Sequence, residues 1–142
     1  MDYELAYRYG VPSRLDEYAG LALSTSGGST PEGEAACPYF FSGFMERPDV
    51  VAAGLLVAAH VARTRFYVPP GMVVAPGGGL TRIGMLDPVV TNTAEGLRFE
   101  SFSVCCGVYA RLDVEASALD AAHCAVGVTN VDVNQPLRAA LA

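Results

Sequence analysis

Leu97-Arg98-Phe99-Glu100-Ser101-Phe102-Ser103, followed after a short gap by Val108-Tyr109-Ala110-Arg111-Leu112-Asp113-Val114, decides how this chain is read. Both stretches alternate at period two, the repeat of a strand whose two faces meet different surroundings. In the first, Leu97, Phe99 and Ser101 share one face, and Arg98, Glu100 and Phe102 the other. In the second, Val108, Ala110, Leu112 and Val114 face in, while Tyr109, Arg111 and Asp113 face out. Cys105-Cys106-Gly107 between them reads as a hairpin turn or a bulge. A third strand, over about Gly127 to Val133, sets Val131 and Val133 against Asn130, Asp132 and Asn134. Asn134 then caps a short helix, with Pro136 near its first turn and Leu137, Ala140 and Leu141 along one side. The second half is therefore expected to be an antiparallel meander.

The first half centres on a helix expected from about Pro48 to Tyr67. Proline suits the first helical position, where its missing N–H costs nothing. Asp49 in the first turn and Arg63 and Arg65 near the end both suit the helix dipole. Ala52, Ala53, Leu55, Leu56, Ala58, Ala59 and Ala62 make it apolar nearly all round, which reads as a buried central helix. Pro69-Pro70 stops it. Upstream, Tyr3, Leu5, Tyr7 and Tyr9 share one face of a half-buried strand. Ser26 to Gly33, with Gly27-Gly28 and Pro31, reads as a loop. Pro38 to Met45, with Tyr39, Phe40, Phe41 and Phe44, reads as an aromatic loop anchored on the core. The fold class expected is α+β: an antiparallel sheet of about three to five strands packed on one long central helix. A single domain over 1–142 is expected, with a flexible Pro/Gly-rich loop at about 69–86. The final helix is only about one turn long at Ala142, which reads as a fragment or short form of a longer chain.

Composition narrows the function classes. The 142 residues are 51% hydrophobic and 17% charged, a globular balance that needs neither disulfide nor metal to fold. Nine basic residues stand against 15 acidic ones, for a net charge of -6, with no basic run. That disfavours nucleic-acid binding through phosphates and docking on anionic membranes. Met1-Asp2-Tyr3-Glu4 carries no signal-peptide pattern, and the apolar run from Val50 to Val61 is too short to span a bilayer. Cys37, Cys105, Cys106 and Cys124 read as reduced thiols in a cytoplasmic protein.

Each candidate chemistry has a plainer reading beside it. Cys105, Cys106, His123 and Cys124 are an imaginable zinc set, although adjacent cysteines point apart on a strand. Cys106 with His123 or His60 as base is the skeleton of a thiol enzyme. The plainer reading makes both cysteines small buried hydrophobes of a sheet and His60 a satisfied core histidine. Asn130, Asp132 and Asn134 offer oxygens on one face but lack a calcium loop's bidentate glutamate. Gly27-Gly28-Ser29-Thr30 lacks the lysine of a phosphate loop. Arg98, Glu100, Arg111 and Asp113 suit cross-strand ion pairs, or a polar binding face.

Several phrases go together. They are Leu21 to Gly28, Phe40 to Phe44, Asp87 to Thr91, Leu97 to Ser103, Cys105 to Asp113, and Thr129 to Asn134. As a set, covering about Leu21 to Ala142, they resemble the non-finger region of actinobacterial SWIM zinc-finger family proteins. The finger itself uses Cys-x-Cys followed by Cys-x-His; neither pattern occurs here, so its zinc and its binding role do not carry over. The stretch 68–86 also departs from the family's pattern. The resemblance implies a bacterial, cytoplasmic, accessory-type domain and transfers no catalytic residue. The leading expectation is a non-enzymatic protein-interaction or ligand-binding domain without cofactor. Its contacts would be Arg98, Glu100, Arg111, Asp113, Tyr39 and Phe41, and its partner a protein. The alternatives are the thiol-dependent enzyme and a self-association module that pairs an exposed strand edge with another copy.

Overall fold

The computed structural model describes residues 9–66 and 87–142. Within them the chain forms β1 (Arg14–Asp16), β2 (Gly20–Ala22), β3 (Thr25–Thr30), β4 (Gly33–Ala35), β5 (Phe41–Met45), α1 (Pro48–Arg63), β6 (Val89–Thr93), β7 (Gly96–Phe102), β8 (Tyr109–Glu115), β9 (Leu119–Cys124), β10 (Gly127–Val131) and α2 (Gln135–Leu141). The main sheet has six strands in the order β4-β3-β10-β6-β7-β8, and every neighbouring pair is antiparallel. Two smaller ribbons, β1-β2 and β5-β9, stand beside it.

This corrects the expected α+β fold on one long central helix. The protein is mainly β, and its centre is the sheet. α1 packs on one face of that sheet at the β7–β8 end, and a second helix, α2, helps cover the same face. Leu55 and Ala59 of α1, Val90 of β6, Leu97 and Phe99 of β7, Val114 of β8, Val131 of β10, and Val133 and Leu137 at α2 form the core. Nor is α1 buried all round, since Val50 is 46% and Val57 is 59% exposed. It also ends before Tyr67. Thr64 turns extended, sends its N–H to the Val61 carbonyl, and donates its hydroxyl to the His60 carbonyl at 2.7 Å. The expected strand at 3–9 and the loop at 69–86 lie outside the described residues, Tyr9 excepted.

The missed strands explain the error. Ser26 to Gly33 is no loop: it supplies most of β3 and opens β4, joined through Pro31 and Glu32. Glycine and serine are poor strand formers in isolation. At Gly28 the close approach of two backbones requires the glycine. A Cβ on Gly28 would stand 2.4 Å from the Val128 carbonyl oxygen of β10. The aromatic loop also becomes a strand in part, with β5 pairing β9 from Phe41↔Cys124 to Met45↔Leu119. The expected hairpin over Leu97 to Val114 forms in unbroken register, from Gly96↔Glu115 to Phe102↔Tyr109.

Candidate functional site

The register of β7 and β8 sets Arg98 opposite Asp113, Glu100 opposite Arg111 and Phe102 opposite Tyr109. Their neighbours Leu97, Phe99, Ser101 and Val114 point under the helices and are buried. Period-two geometry therefore turns the polar set to the other face. No helix among the described residues packs on that outer face. Arg98 Nε donates to Asp113 Oδ1 at 2.7 Å, and Arg111 Nε donates to Asp113 Oδ2 at 2.6 Å. One carboxylate thus orients two guanidinium groups. The Arg111 guanidinium, with Arg98 second, holds the Asp113 carboxyl below the usual carboxylate range. Asp113 in turn raises Arg111 above the usual arginine value. Next along the ladder, the Tyr109 hydroxyl donates to Glu100 Oε1, and that bond raises the Tyr109 phenol. Phe102 and Tyr109 close the row, with ring centroids 4.9 Å apart and planes tilted by 36°. Exposed ion pairs of this kind add little to stability. Their main effect is a fixed pattern of charge on an open face.

The remaining expected residues do not join this face. Tyr39 is 63% exposed, stacks on His123 with centroids 4.8 Å apart, and accepts at its carbonyl a contact of 3.1 Å from His123 Nε2. Phe41 packs against the core. Tyr39 therefore packs on His123 of β9, just before β5 begins.

Cys105 and Cys106 lie in the β7–β8 connection, not within a strand, and Cys106 is exposed in a left-handed backbone conformation (φ 57°). Cys105 Sγ accepts the Phe66 N–H at 3.3 Å, so this loop is tied to the chain just past α1. His60 lies on the exposed side of α1, not in the core. His123 and Cys124 are on β9. Among the described residues, no group of three or more His, Cys, Asp or Glu side chains stands close enough to hold a metal ion. Asn130, Asp132 and Asn134 serve the backbone. Asp132 Oδ2 accepts the Ser13 N–H at 2.9 Å, and Asn134 Oδ1 accepts the Leu137 N–H at 2.9 Å as the cap of α2.

One polar residue escaped the sequence reading. Asn92, on β6, is fully buried, and its Nδ2 donates to the carbonyls of Phe40 at 3.1 Å and Ala125 at 2.9 Å. It couples the end of the β5–β9 ribbon to the main sheet. The β-branched run Val89-Val90-Thr91 was the available signal for its strand. Near this junction a shallow cleft of about 460 Å³ opens between the β3–β4 turn, Pro38 to Phe40, and Ala125-Val126. Among the described residues, Glu32 is the one charged side chain lining it.

No helix among the described residues is long and apolar enough to cross a membrane. No protein-family model, no curated protein and no solved structure matches this chain.

Proposed function

We propose that this is a non-enzymatic protein-binding domain whose outer β7–β8 face makes the contact. The reading rests on the ladder Arg98–Asp113–Arg111 and Glu100–Tyr109, ordered by its own hydrogen bonds and left open by the helices. A patch ordered before binding loses less side-chain entropy when a partner arrives. Its alternating charges suit a polar protein surface better than a uniformly charged polymer. The resemblance to the non-finger region of actinobacterial SWIM zinc-finger family proteins fits the same accessory role. Cysteines without a disulfide, Cys37, Cys106 and Cys124 among them, favour a cytoplasmic setting.

A thiol-enzyme reading has less support, because no hydrogen bond joins Cys106 to His60 or His123 and the Cys105 thiol is engaged by backbone. The test is capture from lysate of the native source with cross-linking, comparing the chain with its Arg111→Glu variant. Loss of specific partners supports the reading. Equal recovery of every partner by both forms removes the β7–β8 face from consideration.

A further inference from the structure

β8 is an outermost strand of the main sheet. Edges are kept from pairing by shortness, bulges, proline or charge, and of these β8 has only charge, in both signs. β8 runs seven residues, Tyr109-Ala110-Arg111-Leu112-Asp113-Val114-Glu115, in unbroken register with β7 and without proline. Its far side has no strand among the described residues.

The order of its side chains suits pairing with a second copy of itself. Two copies of one strand pair antiparallel about a two-fold axis that passes through a residue, because directly opposed residues share one hydrogen-bonding parity. An axis at Arg111 sets Arg111 against itself. One at Asp113 sets Asp113 against itself, and one at Val114 sets Asp113 against Glu115. An axis at Leu112 is different. It opposes Arg111 to Asp113 of the second copy and Tyr109 to Glu115 of the second copy, each twice. On the inner face it opposes Ala110 to Val114 and Leu112 to Leu112. All seven residues pair, and each charged pair is of opposite sign or a donor with an acceptor.

A second, independent feature sits over the same point. A Cβ on Gly54 of α1 would lie 2.7 Å from Leu112 Cδ2, so the helix crosses the strand at its middle residue. Val50, Gly54, Val57 and Val61 follow at helical spacing and make one stripe down that flank. The opposite flank faces the sheet's interior, where Arg63 donates to Asp87 Oδ1 at 3.1 Å and to the Val133 carbonyl at 3.3 Å. The stripe therefore runs on the β8 side; its first part is open, with Val50 46% and Val57 59% exposed, whereas Val61 at its end is already buried. α1 packs on β7 and β8 alike. With strands about 4.8 Å apart, two such helices across a joined edge would lie about 10 Å apart. That is the spacing of packed helices.

We infer that the partner of this domain is a second copy of the same chain. The two β8 strands pair antiparallel about Leu112 to give one continuous sheet, and the two α1 stripes meet above it. The inference rests on the β7–β8 end being the binding region and specifies what binds there.

Sedimentation equilibrium tests it, with circular dichroism confirming that each variant folds. The expected result is a monomer–dimer equilibrium. Arg111→Asp and Asp113→Arg each weaken the dimer more than tenfold, and an equimolar mixture of the two restores it, since every opposed pair is then complementary. Should Asp113→Arg not fold, Val57→Glu is the substitute, at an exposed position that only the dimer covers, and it too weakens association more than tenfold. A chain that stays monomeric at the highest attainable concentration overturns the inference. So does a dimer indifferent to Arg111→Asp, or a mixture that stays monomeric. A monomer whose capture of other proteins is nevertheless lost in Arg111→Glu refutes self-pairing and leaves the protein-binding reading standing.

Discussion

The two ends of the main sheet are finished by opposite means. At one end, β4 is three residues long, Gly33-Glu34-Ala35, and its first residue has a positive φ of 127°. At the other, β8 runs seven regular residues with ordered charges. The β4 end is closed by being short and glycine-bearing, so another chain finds little to pair with. The β8 end is supported from below by α1 and left regular along its rim. The contrast teaches that edge strands of one sheet can be given different fates by length and composition alone, with the same hydrogen-bonding groups in both.

The largest effect is expected beneath β8. Leu55 is 0% exposed between α1 and the sheet, and Leu55→Ala should lower unfolding free energy by about 2–5 kcal/mol in denaturant melts. A loss under 1 kcal/mol would mean that α1 does not anchor the β8 end. The β3–β4 end fails in the opposite sense, by crowding. Gly28→Ala puts a methyl group against the Val128 carbonyl and should cost about 1–3 kcal/mol, with hydrogen exchange quickening first in β3 and β4. A silent substitution there would show that the end is loosely joined. Asn134→Ala removes the cap of α2, whose Oδ1 holds the Leu137 N–H at 2.9 Å, and should cost about 1 kcal/mol by the same melts.

The smallest effect on stability is expected on the outer face. Arg111→Ala should leave the melting temperature nearly unchanged, because the Arg111–Asp113 pair is exposed and screened by solvent. The titration of Asp113, followed by carboxyl NMR shifts, should nonetheless move up towards the ordinary value, with Arg98 retaining part of the depression. The sign of the pH dependence follows. The folded-state pKa of Asp113 lies below its unfolded value, so its contribution is present above the ordinary aspartate pKa of about 3.9 and lost as pH falls through the lower folded value. An unmoved Asp113 titration in the variant would show that the ladder is not formed in solution.

The outer face was legible before the structure because alternation carries its own evidence. Arg98, Glu100, Arg111 and Asp113 had to share a side once Leu97, Phe99, Leu112 and Val114 shared the other. Asn92 was not legible. Its burial arises because β6 runs between β10 and β7 and the end of the β5–β9 ribbon comes to meet it, contacts made across more than thirty positions of sequence. Nor was the separation of the cysteines. Cys105 and Cys106 stay at the β7–β8 connection while Cys124 goes to β9, and only chain topology decides that distance.

By itself, then, the sequence determined the β7–β8 hairpin, the helix beginning at Pro48 and the Asn134 cap, because period, proline placement and capping chemistry act over a few residues. The tertiary structure alone decided that the sheet, and not the helix, is the centre of the molecule. The glycine- and serine-rich β3 is strand because it pairs with β10 and β4, and Gly28 is needed where β10 comes close; neither condition exists in the local sequence.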